Sequence, residues 1–121
     1  MIVLDTCVLI EVLKGNLKVL EKLNSSDQQF VISSISEMEL YYGALNKKEL
    51  LTLEKFCSKF KVIHINSNIS KISIKLIKQY AKSHQLDIPD SLIAATCLAG
   101  SFKLYTLNIK DFKYIEGLVL Y

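Results

Sequence analysis

The sequence predicts a three-layer α/β domain, with a mainly parallel sheet and helices on both faces. Two observations carry this expectation. Short apolar runs alternate with longer segments of helical apolar period along the whole chain, with no internal repeat. The first run, Ile2-Val3-Leu4, is apolar at consecutive positions, as a strand buried on both faces must be. At 121 residues the chain is expected to form one domain, residues 1–121.

The elements follow in order. Strand one ends at Asp5-Thr6, and Cys7 to Leu13 continues as a helix. Gly15-Asn16 breaks it, and Leu17, Val19, Leu20 and Leu23 mark a second short helix. Phe30-Val31-Ile32 is strand two, closed by Ser33-Ser34. Ser36-Glu37-Met38-Glu39 matches a capping box, and Met38, Tyr41, Tyr42 and Leu45 would form the inner face of the helix it opens. Leu50 to Phe60 reads as an amphipathic helix with Leu53, Phe56, Cys57 and Phe60 inward. Val62 to Ile65 is strand three, and Asn66-Ser67-Asn68 caps a long helix whose inner stripe is Ile69, Ile72, Leu76, Tyr80 and Ala81. His84 to Ile88 is a turn. Pro89 takes the first position of an almost wholly apolar helix that Gly100 should stop. Lys103 to Thr106 is strand four, Asn108 to Phe112 a helical turn, and Leu118-Val119-Leu120 a last strand.

Composition narrows the class. Half the residues are hydrophobic, which suits a folded domain rather than a disordered one. The net charge of +3 permits a polyanionic partner without demanding one. All fifteen basic residues are lysine, so phosphate must be met by lysine, backbone amides or a metal rather than by the arginine fork. Cys7, Cys57 and Cys97 form neither a metal knuckle nor a disulfide framework and read as reduced thiols of a cytoplasmic protein. Asp5 interrupts any secretory signal, and the longest apolar run is far below the ~20 residues of a membrane span.

The acids carry the chemistry. Asp5 ends strand one, Glu39 lies in the helix after strand two, Asp90 opens the apolar helix, and Asp111 follows strand four. With right-handed crossovers in a parallel sheet, all four fall at the carboxyl edge of the strands, where ligands bind. Each has a local alternative: Asp5 or Thr6 as a helix cap, Glu39 as a capping-box partner, Asp90 as a complement to a helix dipole. Together they would repel one another unless one is protonated or a cation sits between them. A hard ion with oxygen ligands, Mg²⁺ or Mn²⁺, suits such a set, and the lack of a Cys/His ligand pair argues against zinc. An ion so held supports phosphodiester hydrolysis.

These segments resemble a known family. Ile2-Val3-Leu4-Asp5-Thr6-Cys7-Val8-Leu9-Ile10 looks like the opening of PIN-domain ribonucleases of the VapC toxin type. Ile35 to Gly43, Asp90 to Thr96 and Thr106 to Phe112 are similar to the family's second, third and fourth motifs, in the right order. The resemblance implies sheet order 3-2-1-4-5 and a Mg²⁺-dependent endoribonuclease, with Mn²⁺ as a substitute. It also implies a toxin homodimer restrained by a cognate VapB-type antitoxin. Asp5 and Asp90 would be the principal metal ligands, joined by Glu39 directly or through water. Asn108 and Asp111 would complete the acidic end, with Thr6 and Thr106 on the substrate side. Three departures stand out: Cys7 replaces a common Asn, Leu107 a frequent basic residue, and the fourth motif offers Asn108 before Asp111, either of which could approach the metal.

Other features have two readings each. Lys71, Lys75, Lys78 and Lys82 line one helix stripe, either an RNA-backbone track or a solvated face. Glu37 is assigned to the helix start, and Asp87 to a cap before Pro89 or to the edge of the site. His64 and His84 read as structural, and Tyr41 and Tyr42 as packing or oligomer-interface residues. Two other classes compete with the nuclease. One is a PIN fold that binds RNA or a partner without cutting. The other is a phospho-acceptor receiver, against which stand the single acid after strand one and Asn66-Ser67-Asn68 after strand three.

Overall fold

Strands β1 (Ile2–Leu4), β2 (Phe30–Ser33), β3 (Lys61–Ile63) and β4 (Lys103–Tyr105) form one sheet in the order β3-β2-β1-β4. This computed structural model describes all 121 residues, Met1–Tyr121. Every pairing is parallel, with Val3 opposite Val31 on one side and Leu104 on the other. The expected fifth strand shrinks to a single parallel bridge, Leu104 to Leu120, outside β4. A turn at Gly117 (φ 84°) precedes it, and only two backbone hydrogen bonds join the segment to Leu104. The order 3-2-1-4 therefore holds, with Leu120 at the fifth place. A flavodoxin-like order, 2-1-3-4-5, would put β1 between β2 and β3. Here β1 lies between β2 and β4, which removes the receiver reading.

Alternate strand residues face opposite sides, and each side carries its own core. Val3, Val31 and Leu104 meet Ile69, Leu76 and Tyr80 of α5 (Ser67–His84) and Ile93 of α6 (Ile88–Gly100). Ile2, Leu4, Ile32 and Tyr105 face the other way. They meet α1 (Thr6–Leu13), α2 (Leu17–Asn24), α3 (Ser34–Tyr42) and α4 (Lys47–Cys57) through Val8, Leu9, Val19, Leu40, Leu53 and Cys57. That is the three-layer architecture, and β1 is buried along its whole length at the centre.

Several boundaries differ from expectation. The capping box at Ser36 does not form. Ser33, at the end of β2, accepts the Ile35 N–H first, so the helix starts at Ser34 and carries Ser36 and Glu39 within it. Asn46 caps α4 at Lys47 rather than Leu50, and the helix stops at Cys57, with Phe60 folded edge-on against Phe56. β3 runs from Lys61 to Ile63 instead of Val62 to Ile65. Asp87 caps α6, so Ile88 precedes Pro89 in the first turn. Gly100 is the last helical residue and the left-handed position falls to Ser101 (φ 54°); a Cβ at Gly100 would collide with the Phe102 ring. Met38, Tyr42 and Leu45 do not face inward: Tyr42 and Leu45 are each 86 % exposed, and α3 buries Ser36 and Leu40 instead. No helix is long and apolar enough to cross a membrane.

Candidate active site

Because all strands run parallel, Leu4, Ser33, Ile63 and Tyr105 end at one edge, and the chain delivers its acids just beyond. The Asp5 N–H bonds the Tyr105 carbonyl (2.9 Å), tying the end of β1 to the end of β4. Asp5 is only 4 % exposed and N-caps α1. Its Oδ1 accepts the Thr6 N–H (2.8 Å), while Oδ2 accepts the Thr106 hydroxyl (2.8 Å) and the Cys7 thiol (3.4 Å). Thr106 in turn accepts the Asn108 N–H (3.0 Å). Burial and then the Asp5 charge push the Cys7 thiol pKa up. The sulfur therefore keeps its proton to donate and accepts the Leu107 N–H at 3.4 Å. Cys7 thus bonds to the carboxylate itself, and Leu107 contributes through its backbone.

Glu39 reaches the same corner from α3. Thr6 Oγ1 donates to Glu39 Oε1 (2.8 Å) and lies 2.9 Å from Ser36 Oγ. The hydroxyls of Thr6 and Thr106 are thus engaged with carboxylates. Ser36, fully buried, is a member of this network that the capping-box reading hid. Glu37 turns away, as a step of two residues requires, and accepts the Tyr41 hydroxyl (2.7 Å).

Asp90 is set differently. Its carboxylate receives no protein hydrogen bond; its N–H donates to Asp87 Oδ1 (2.9 Å). Burial first, then the charges of Asp87, Asp5, Asp111 and Glu39, push its pKa up to about 7. Those four acids, from four separate segments, are its electrostatic neighbours. Asp87, Asp90 and Asp111 line one polar cavity of ≈ 100 Å³ with His84 and Tyr114. Asp111 is therefore the fourth-motif acid on the Asp90 side. Asn108 is exposed and does not line that cavity. Nor do Lys71, Lys75, Lys78 or Lys82, which stand exposed on α5 without ion pairs; Lys78 borders a separate apolar groove between α5 and α6. Asp87 proves to be both cap and cavity wall. His84 has acidic company that its sequence neighbours did not reveal.

The donor set is all carboxylate oxygen, which suits a hard divalent ion better than zinc. An acid whose proton is retained up to about 7 by burial and then by surrounding negative charge is one that a cation would relieve. The carboxylates are grouped but not closed: no three His, Cys, Asp or Glu side chains converge tightly enough to form a ready-made metal cluster.

The model of the family described as PIN domain matches residues 2–118. The chain belongs to the PIN-domain family. Among relatives of this PIN domain is "Ribonuclease VapC1" of Rickettsia felis, 33 % identical over 125 residues, covering 97 % of this chain and 92 % of the relative. Among solved structures, the toxin-antitoxin complex from Klebsiella pneumoniae contains a chain of TM-score 0.83 and 30 % identity, covering 98 % of this chain and 96 % of that one. VapBC2 from Rickettsia felis, bound to a DNA fragment from their promoter, gives TM-score 0.85 at 27 % identity, covering 100 % and 98 %. The matched residues, 2–118, contain Asp5, Glu39, Asp87, Asp90 and Asp111.

Proposed function

We propose that this PIN domain is a Mg²⁺-dependent endoribonuclease, with Mn²⁺ able to substitute, and the toxin of a toxin–antitoxin pair. The observation that carries the reading is the gathering of Asp5, Glu39, Asp87 and Asp111 around Asp90. It occurs in a chain that matches VapC ribonucleases over nearly its full length.

Asp5 and Asp90 would hold the ion, with Glu39 joining directly or through water and Asp111 bordering the cavity. When bound, the ion supplies charge neutralisation for the phosphate and acidifies a water molecule. Thr6 holds Glu39, and Thr106 with Cys7 holds Asp5, so the carboxylates need little reorganisation when substrate arrives. Water adds to phosphorus in line with the 3′ oxygen. The P–O3′ bond breaks, the water proton passes to the carboxylates or solvent, and the leaving oxygen takes up a proton. The products carry 5′-phosphate and 3′-hydroxyl ends.

The partner reading draws on two further supports. Similar solved chains come from a toxin-antitoxin complex of Klebsiella pneumoniae and from VapBC2 of Rickettsia felis. In addition, Met38, Tyr42, Leu45, Ile74 and Ile88 expose large apolar surface, which protein partners commonly cover. We assign that surface to a second copy and to a VapB-type antitoxin.

The test is direct. Purified protein should cut single-stranded RNA in Mg²⁺ and stop in excess EDTA. Asp5→Asn and Asp90→Asn should each abolish cleavage and growth arrest while the circular-dichroism spectrum is retained. Full activity in either variant, or in chelator, would overturn the metal mechanism.

A further inference from the structure

The cavity beside Asp90 has a wall that the carboxylate chemistry does not use. His84 is the last residue of α5, and Gln85 turns left-handed behind it (φ 59°). The chain then passes through buried Leu86 to Asp87, the cap of α6. This tight corner puts the imidazole at the cavity, where it stacks on Tyr114 with centroids 4.1 Å apart and planes 18° from parallel. Three contacts hold the pair. Ser83 Oγ lies 2.8 Å from His84 Nδ1. The Tyr80 ring meets His84 at 74° and Tyr114 at 57°. The Tyr80 hydroxyl is itself anchored by the Glu116 N–H (3.1 Å). Yet His84 is exposed, so this is an ordered aromatic surface open to solvent rather than core.

We propose that the His84–Tyr114 pair is a stacking platform for one nucleobase of single-stranded RNA, the base flanking the phosphate bound at the acids. The inference rests on the ribonuclease reading and extends it to how the strand is held. The chain has no arginine, and no lysine lines this cavity. Recognition beside the acids therefore falls to uncharged contact. Three carboxylates repel a bare phosphate but not a base, and a base lies one sugar away from its phosphate. A ring already fixed by stacking and by Ser83 loses little freedom on binding, and base–aromatic stacking tolerates any base because each has a π face.

The experiment uses single-stranded RNA dodecamers whose cut bond has been mapped with the wild-type protein. Each is remade with an abasic site, or with fluorescent 2-aminopurine, on either side of that bond. At one of the two positions, loss of the base should raise KM by about fivefold to a hundredfold with kcat within about twofold. His84→Ala should do the same on the intact strand and add nothing on the abasic one. His84→Phe, which keeps a ring, should restore the wild-type KM. In Ca²⁺, which replaces Mg²⁺ so that the strand stays whole, 2-aminopurine at that position should be quenched by wild type and His84→Phe but not by His84→Ala. Equal KM and equal quenching for wild type and His84→Ala would overturn the platform and leave the pair to packing or to a protein partner. His84→Phe behaving like His84→Ala would also overturn it, in favour of a polar contact. A wild-type protein that cuts none of the dodecamers overturns this inference and the ribonuclease reading together. Cleavage that ignores His84 overturns this one alone.

Discussion

Asp5 and Asp90 are both acids at the start of a helix, and the protein treats them in opposite ways. Asp5 is buried, with donors on both carboxylate oxygens: a backbone amide, a threonine hydroxyl and a thiol. Asp90 has no donor on its carboxylate and four carboxylates around it. One corner of the site is organised by hydrogen bonds made within the chain. The other keeps charge unbalanced, and a proton held up to about 7 is the local remedy when no cation is present. The difference separates the fixed ligand from the one whose state depends on the ion.

The largest expected effects come from neutralising each acid in turn. Asp5→Asn and Asp90→Asn should both lower the cleavage rate by about a thousandfold or more, since each removes an anionic ligand. Their stabilities should separate. Asp5→Asn turns an amide donor or a weaker acceptor toward Thr106 and Cys7 and should destabilise the fold by about 1–3 kcal/mol. Asp90→Asn removes repulsion and should raise the melting temperature in metal-free buffer at pH 8. Equal stability shifts in the two variants would erase the contrast between the corners.

The pH dependence sharpens the same contrast. The folded pKa of Asp90, about 7, lies above the ~3.9 of an unfolded aspartate. Between those values the folded chain holds more protons than the unfolded one. This group's contribution to stability therefore falls as pH rises from about 4 to 7 and is at its least favourable above 7. Metal-free melts at pH 5 and pH 8 should show that component in the wild type and lose it in Asp90→Asn.

Smaller effects belong to the supports of Asp5. Thr106→Val deletes the 2.8 Å hydroxyl bond to Oδ2 and should cost about tenfold in kcat and about 1–2 kcal/mol in stability. Cys7→Ala removes the longer 3.4 Å thiol contact to Asp5, together with the Leu107 N–H contact to the sulfur, and should change kcat by about twofold to threefold. A steady-state comparison in which Cys7→Ala is the more damaging would show that the thiol, not the hydroxyl, holds Asp5.

Much of this arrangement is legible in the sequence. Parallel strands end at one edge, so acids placed after strands one and four and in the helices between had to meet there. The apolar runs around Val3, Val31 and Leu104 located the sheet. What escaped the sequence did so for local reasons. Ser36-x-x-Glu39 has the capping pattern, but Ser33 reached the free amides first. Met38 and Tyr42 have core chemistry on a face of α3 that nothing in this chain covers, and Leu45 falls in the loop after the helix has ended at Tyr42. Leu118 to Leu120 has strand composition, yet the turn at Gly117 leaves only Leu120 in register. His84 and Tyr114 lie thirty residues apart with no pattern to join them. Their stack exists because the α5–α6 corner and the segment after β4 fold onto the same cavity.

If the carboxylates around Asp90 hold an ion, thermal unfolding of the purified protein at pH 7.5 with and without Mg²⁺ or Mn²⁺ will register it. Saturating ion should raise the wild-type Tm by several degrees through preferential binding to the folded state, whereas Asp90→Asn, more stable than wild type without metal, should gain almost nothing. An equal rise in both proteins would show that the ion binds somewhere other than at Asp90.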